Sequence, residues 1–199
     1  MATYHHGDLR AAVLRRVAEV VLEQGPSAVS LRSVASDLGV SHTAPRHHFG
    51  SLRGVFTALA AEGFTTLARD LAAVRLAGGS FLDAGVGYVA FATAHPAHFQ
   101  VMFTPALCDP DDPALASARQ ASFAELERSA RGGETSEDVV ALTAWSAAHG
   151  LATLLLTGNL QDARWQAVGA TPAELARSTL ARLFDPAGTD PTTSTRSPR

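Results

Sequence analysis

The sequence predicts an all-α protein with about nine helices: an N-terminal three-helix head that contains a helix-turn-helix, followed by a larger C-terminal helical bundle. Three observations support this fold class. Apolar residues recur at intervals of three and four, the period of an amphipathic helix. Glycine and proline interrupt these stretches where helices would end. No stretch shows the two-residue alternation of a strand, and no internal repeat competes with the helical pattern.

The helices of the head are delimited by their expected caps and stops. Gly25-Pro26 stops the first helix, Ser30 is expected to cap the second, and Ser41 is expected to cap the third. Gly39 ends the second helix, because glycine readily adopts the left-handed conformation of a tight turn. The predicted helices of the head run from Leu9 to Val21, from Leu31 to Leu38 and from His42 to Phe49.

The helices of the body follow the same logic. Ser51 is expected to cap a long fourth helix, which Gly78-Gly79 interrupts. Thr171 and Glu174 have the spacing of a capping box at the start of the last helix. The prolines of residues 105–113 predict a loop. The helices predicted between the fourth and the last cover about residues 81–94, 97–103, 114–131 and 136–156.

Length and composition place limits on the class of protein. The 199 residues are 46% hydrophobic, which is ample for a core. We find no uninterrupted apolar run of about 20 residues and no signal-peptide pattern, so we expect no membrane partner. The single cysteine, Cys108, excludes an internal disulfide and fits the cytoplasm. We assign residues 1–56 to the head, 57–186 to the bundle and 187–199 to a disordered tail.

Charge is distributed unevenly between the head and the body. Six arginines and four acids give residues 1–56 a net charge of +2, whereas the whole chain carries −3. A basic head on an acidic body favours a polyanionic partner at the head. The chain contains no lysine. Guanidinium groups suit bidentate contacts with phosphate or guanine, although a simple compositional bias toward arginine explains the same observation.

The short helix, glycine turn and second short helix have the spacing of a helix-turn-helix. Four residues on one face of the second short helix are candidates for contacts with base edges: His42, Thr43, Arg46 and His47. Residues at the edges of this face are candidates for phosphate contacts: Arg32, Ser41, His48 and Arg53. Any helix–glycine–helix corner in an all-α protein has the same spacing, so the pattern alone leaves a purely structural turn open.

Residues 30–49, SLRSVASDLGVSHTAPRHHF, resemble the N-terminal DNA-binding region of TetR-family regulators, and the similarity extends over about residues 8–56. Residues 4–10 and 145–150 resemble a TetR subgroup named for a Trp-His-Gly signature. The resemblance implies a homodimeric, ligand-responsive transcription regulator. We expect it to be a repressor that binds a palindromic operator and is released from it by a small, mostly apolar effector. Where the family usually has Tyr and Lys as phosphate contacts, this chain has Arg46 and Leu52, so Arg46 and Arg53 are candidates to replace them.

The body contains candidate residues for an effector pocket. Aromatic and methionine side chains with a few polar atoms suit a small, mostly apolar ligand, although each residue could equally be ordinary core. The candidates are Phe91, His95, Phe99, Met102, Phe103, Trp145 and His149. The helix over residues 136–156 is apolar on more than one side. With the last helix it could form half of a four-helix bundle across a dimer axis, and a central position in a monomer is the alternative.

Other classes of function have less support. The chain contains no nucleophile elbow, phosphate-binding glycine loop, His-Glu-x-x-His pair or Cys-x-x-Cys pair, so we expect neither an enzyme nor a cofactor. The adjacent His5 and His6 cannot supply four tetrahedral ligands alone, so we expect no metal. An α-helical ligand carrier whose head does not bind DNA stays open, because Leu52 departs from the family pattern.

Overall fold

The computed structural model describes residues 6–130 and 137–184, and within these ranges the fold is all-α, as predicted, with no strand. The predicted tail, residues 187–199, lies outside the described residues, as does His5. The described helices, in chain order, are α1 (His6–Gln24), α2 (Leu31–Asp37), α3 (Ala44–Phe49), α4 (Leu52–Leu76), α5 (Phe81–Ala94), α6 (Pro96–Met102), α7 (Pro113–Ala130), α8 (Glu137–Leu156), α9 (Ala163–Gln166) and α10 (Pro172–Phe184).

The start of the third helix differs from the prediction. α3 begins at Ala44 rather than at His42, and Thr43 occupies its N-cap position. Pro45 lies in the first turn of α3, the part of a helix where its missing N–H group costs least. The side chain of Ser41 does not cap the helix; its hydroxyl lies 2.9 Å from that of Thr43 instead. The turn between α2 and α3 is therefore longer than the sequence pattern indicated.

The other predicted caps are mostly confirmed. The Ser51 hydroxyl accepts a hydrogen bond from the Gly54 amide at 3.1 Å, at the start of α4. The Glu174 amide donates to the Thr171 hydroxyl at 3.2 Å, and the Thr171 amide donates to the Glu174 carboxylate at 3.0 Å. Ser30 occupies the N-cap of α2, but its side chain makes no capping hydrogen bond. The short helix α9 was not predicted, since its four residues are too few for a periodic pattern.

α4 connects the head to the body. Its first turns contact α1 and α3, and the rest of the helix packs against α5, α6 and α7. α5 packs on the other side against α8 and α10. The buried side chains form one continuous cluster that extends from Val13 and Val34 in the head, through Leu59 in α4, to Leu180 in α10. The body therefore packs directly against α4, the helix that follows α3.

A buried carboxylate holds α4 against α7. Glu125 of α7 is only 8% exposed and accepts a hydrogen bond from Arg75 Nε of α4 at 2.9 Å. Its second oxygen contacts Arg128, one turn further along α7. Two guanidinium groups therefore compensate the cost of burying this charge.

The segment Asp138–Leu156 of α8 is long and apolar enough to cross a membrane by length and composition alone. Threonine, serine, histidine and glycine interrupt the apolar residues of this segment, so it is not an uninterrupted apolar run. Only 28% of the best window in this segment is buried inside the protein. Core helices of soluble proteins pass the same test. The exposed apolar side chains of α8 therefore call for an apolar partner surface, which need not be a membrane.

Candidate functional site

The turn between α2 and α3 has the left-handed glycine that the sequence predicts at its start, although the turn itself is longer than predicted. Gly39 has a φ of 65°, in the left-handed region where a residue with a Cβ is strained. The amide of Val40 then donates to the carbonyl oxygen of Ala35 at 3.0 Å, which closes the end of α2. The Val40 side chain packs against the core of the head. Glycine and valine together fix the direction in which the chain enters the next helix.

The candidate contact residues form a polar surface on the outside of this turn. Arg46 and His47 project from α3, whereas His42 and Thr43 lie in the turn that precedes it. His48 is half-buried. The candidates with exposed side chains are Arg32, Ser41, His42, Thr43, Arg46, His47 and Arg53. Seven of the eight candidates are therefore exposed to solvent, and six of these lie on α2, on α3 or in the turn between them.

Arg53, on α4, is exposed and also contacts the body. Its Nη1 donates to the backbone carbonyl of Cys108 at 3.4 Å, in the segment between α6 and α7. The neighbouring Leu52 packs against the hydrophobic core. Position 52 thus presents no polar group to solvent, and the guanidinium of position 53 links α4 to the body.

Sequence reasoning missed the role of Gly54. A Cβ at this position would lie 2.0 Å from the carbonyl oxygen of Phe49, the last residue of α3. This close approach lets α4 begin directly against the end of α3. A glycine in the first turn of a long helix was the signal that could have identified it, because glycine there is otherwise unfavourable.

The body contains an apolar cavity between α4, α5, α7 and α8, which we call the inner cavity. Trp145 and Phe103 are the two predicted pocket residues that line it, together with residues such as Tyr88 and Leu71. Its free volume is about 20 Å³, about the space of one water molecule. Pockets for drug-sized ligands measure roughly 300–1,000 Å³, so side chains must move before such a ligand can enter.

A chain of polar side chains crosses the wall of the inner cavity. The indole Nε1–H of Trp145 donates to the Tyr88 hydroxyl at 3.2 Å, and that hydroxyl lies 3.0 Å from Nδ1 of His149. Burial raises the pKa of Tyr88, whose side chain therefore stays protonated. Burial also lowers the pKa of His149. The phenol oxygen thus accepts from Trp145, and the Tyr88 hydroxyl shares a second hydrogen bond with Nδ1 of His149, whose tautomer sets the donor.

The structure brings only part of the predicted pocket together. His149 stacks on Phe99 with ring centroids 5.1 Å apart and meets Phe103 edge-on at 4.5 Å. Met102 faces α4, where a Cβ on Gly63 would lie 2.4 Å from its sulfur, and with Phe103 and Trp145 it borders another hollow of about 180 Å³. Phe99, Phe103 and His149 border a groove of about 430 Å³. Phe91 and His95 contact each other, with centroids 5.2 Å apart, and line none of these three spaces. Tyr88, which joins Trp145 to His149, was not predicted.

A metal centre has no support in residues 6–130 and 137–184. Within them, no group of three or more histidine, cysteine, aspartate or glutamate residues is arranged to hold an ion. The one cysteine, Cys108, is buried, and burial raises the pKa of its thiol. A buried thiol with a raised pKa is a poor nucleophile.

Comparison with known proteins agrees with these features. The family described as "Tetracyclin repressor-like, C-terminal domain" matches residues 81–183, about half of the chain. A solved protein of unknown function from Rhodococcus sp. RHA1 is 28% identical, with a TM-score of 0.76 over 94% of this chain and 98% of that one. A proposed regulatory protein, SCO4313, has the same fold at 21% identity, with a TM-score of 0.73 over 92% of this chain and 100% of that one. No curated protein matches the sequence.

The all-α fold and the matched C-terminal domain place the chain in the class of transcription regulators. The chain belongs to the TetR family of regulators. Members of this family are, in general, soluble and non-enzymatic, and they bind DNA and small ligands as dimers.

Proposed function

We propose that the protein is a ligand-responsive repressor that binds a palindromic DNA operator as a homodimer in the cytoplasm. The exposed polar surface of the helix-turn-helix is the observation that supports this proposal most directly. Arg46 and His47 lie on the solvent side of α3, a helix short and narrow enough to enter a major groove. We infer that Arg46 reads a guanine or clamps a phosphate, and that His42 and Thr43 contact the bases beside it.

Phosphate contacts would come from the edges of the same surface. Arg32 at the start of α2 and Ser41 in the turn are exposed, and both can donate to a phosphate oxygen. We assign His48 a supporting contact because it is half-buried. Arg53 is exposed and uses one of its five N–H groups on the Cys108 carbonyl, so we assign it a phosphate contact through the others.

Exposed apolar side chains on α8 and α10 support the dimer. Val139, Leu142 and Leu183 are between 50% and 58% exposed in the isolated chain. A second copy that packs the same two helices against them would bury these side chains in a four-helix bundle. The same arrangement would account for the apolar length of α8 without a membrane. A dimer also presents two heads to two half-sites, which explains a palindromic operator.

Contacts between the body and α4 give a route from an effector to the head. The amide of Asp109, between α6 and α7, donates to the Thr57 hydroxyl of α4 at 2.9 Å. The nearby Arg53 contacts the same segment through Cys108. A ligand that opens the inner cavity between α4 and α7 would displace this segment and α4 together. Differential affinity of a few kcal/mol between the two arrangements is enough to change operator occupancy.

The test is binding of the purified protein to the DNA that flanks its own gene. We expect saturable binding to one short palindrome, with an affinity that falls steeply as salt increases, because arginine–phosphate contacts release counterions. Absence of binding to any flanking segment at low salt would favour an α-helical carrier whose head does not bind DNA.

Oligomeric state is tested separately by sedimentation. We expect a dimer that Leu142→Glu converts to a monomer, since the substitution places a charge in the proposed interface. The matched control is Leu76→Glu at the end of α4, where the leucine is 76% exposed and distant in sequence from α8 and α10. The same oligomeric state for both variants would argue against the proposed interface.

A further inference from the structure

We propose that the effector is an apolar carboxylic acid whose carboxylate binds Arg119 while its hydrocarbon part occupies the inner cavity. This inference rests on the proposed function only in taking the inner cavity as the effector site. It adds the chemical class of the ligand and the residue that would select it.

A second hollow, which we call the vestibule, lies next to the inner cavity. The vestibule has a volume of about 180 Å³, and Arg119 and Pro105 contribute to its wall. Four aromatic side chains line both the vestibule and the inner cavity: Phe64, Phe103, Phe123 and Trp145. Because these rings border both spaces, they form the partition between them. Their rotation is the simplest way to join the two volumes into a ligand-sized site.

The rings of the partition touch through edges rather than faces. Phe64 meets Phe103 at a centroid distance of 5.8 Å and an angle of 74°, and Phe123 meets Trp145 at 5.1 Å and 89°. Each such contact contributes only about 0.5–1.5 kcal/mol beyond burial. A ligand that replaces these contacts with its own apolar surface can therefore open the partition at small cost.

Arg119 is a half-buried guanidinium without a carboxylate partner in the described part of the chain. Its guanidinium carbon lies 5.5 Å from the ring centroid of Phe64. Other arginines of the body have acidic partners: Arg75 and Arg128 pair with Glu125, and Arg177 pairs with Asp83. A partly desolvated cation beside an apolar cavity gains strongly from an anion, because the low local dielectric strengthens the attraction.

The inner cavity itself offers no charged group to a ligand. The Tyr88 hydroxyl is already shared between Trp145 and His149. The Ser122 hydroxyl donates to the backbone carbonyl of Arg119 at 2.8 Å. The remaining lining is hydrocarbon or aromatic. An anionic ligand must therefore keep its charge in the vestibule, where the planar guanidinium can form two parallel hydrogen bonds with a carboxylate.

The experiment measures binding of decanoate, cinnamate and decanol to the full-length protein by calorimetry, without DNA. We expect at least one of the acids to bind more tightly than decanol. Arg119→Met should weaken binding of that acid by about 10- to 100-fold and leave decanol unchanged, as for loss of a charge-assisted hydrogen bond. Arg164→Met is the matched control, because Arg164 is an exposed arginine of α9 that lines neither hollow.

A second variant separates the two parts of the site. Ala148→Phe fills the inner cavity and should abolish binding of acid and alcohol alike, with folding checked by circular dichroism. Equal affinity of Arg119→Met and the unaltered protein for the acid would overturn the inference, as would tighter binding of decanol than of either acid or failure of both acids to bind. Operator binding is measured in a separate assay, so a failure here leaves a positive DNA result intact.

Discussion

The hydroxyl of Tyr88 on α5 lies 3.0 Å from Nδ1 of His149 on α8, and this hydrogen bond joins two helices across the wall of the inner cavity. Trp145 donates to the same hydroxyl from one turn earlier on α8. Two residues four positions apart lie on the same face of a helix, so both reach one phenol on the facing helix. His149, the histidine of the Trp-His-Gly stretch, therefore has a structural role as a hydrogen-bond partner of Tyr88.

Replacement of Tyr88 by phenylalanine should destabilise the protein. Tyr88→Phe keeps the ring but leaves the Trp145 N–H and His149 Nδ1 without their partner, at a cost of about 1–3 kcal/mol. Urea unfolding, followed by circular dichroism, measures the change. The control Trp165→Phe alters an exposed aromatic residue and should change the unfolding free energy little. An unchanged midpoint for Tyr88→Phe would show that water replaces the phenol without loss.

Stability should decrease as the solution becomes mildly acidic. Burial lowers the pKa of His149 below its usual value of 6.5, so the unfolded chain binds a proton before the folded one does. The unfolding free energy should therefore fall as pH drops below about 6.5, and the decrease should end once pH passes the folded pKa. Unfolding of the unaltered protein and His149→Gln between about pH 7.5 and pH 5.5 tests this. Parallel pH curves for the two proteins would contradict it.

Two glycines in helices should respond oppositely to the same substitution. Gly54→Ala places a methyl group 2.0 Å from the Phe49 carbonyl oxygen, which forces α3 and α4 apart and should cost about 1–3 kcal/mol or more. Gly150→Ala on α8 meets no atom within 4 Å and should stabilise by up to about 1 kcal/mol. Thermal unfolding compares them. Similar effects of the two substitutions would mean that the junction between α3 and α4 relaxes freely.

Glu125 and Glu127 are neighbours on α7, and neutralising each of them should affect the stability of the protein differently. Glu125→Gln removes the negative charge that faces Arg75 and Arg128 and should destabilise by about 1–2 kcal/mol, less than for a fully buried pair since both arginines reach solvent. Glu127→Gln, at an exposed position on the same helix, should have little effect. Chemical denaturation of both variants measures the unfolding free energy. Equal unfolding free energies would show that the negative charge of Glu125 does not stabilise the protein.

Arg46 should contribute directly to operator affinity. Arg46→Ala should weaken binding to the palindrome by about 1–3 kcal/mol, as for loss of a bidentate contact with a base. Arg15→Ala is the control because it removes the same charge from an exposed position on α1, outside the proposed contact surface. Fluorescence anisotropy with a labelled operator measures both. Equal losses would indicate a general charge effect rather than a specific contact.

The helical period was sufficient to predict the fold class and most helix positions, because apolar spacing is a local property of the chain. The onset of α3 was misplaced because the N-cap position is held by Thr43, whose side chain makes no capping hydrogen bond, and Ser41 lies two residues earlier. Tyr88 was missed because its partner His149 is 61 residues away, and no local pattern signals that contact. Arg119 was missed because its position beside the Phe64 ring and its lack of an acidic partner in the described body exist only in three dimensions.

α4 is one uninterrupted helix of 25 residues, and by its rise per residue it is about 37 Å long. One end abuts the proposed recognition helix through Gly54, and the middle borders the partition through Phe64. A rod of this length that tilts by about 5° about one end displaces the other end by roughly 3 Å. Hydrogen bonds to bases weaken over a few tenths of an ångström. If the head binds DNA as proposed, a small rotation of aromatic rings in the body would be amplified along α4 into a movement that disengages the head from a groove.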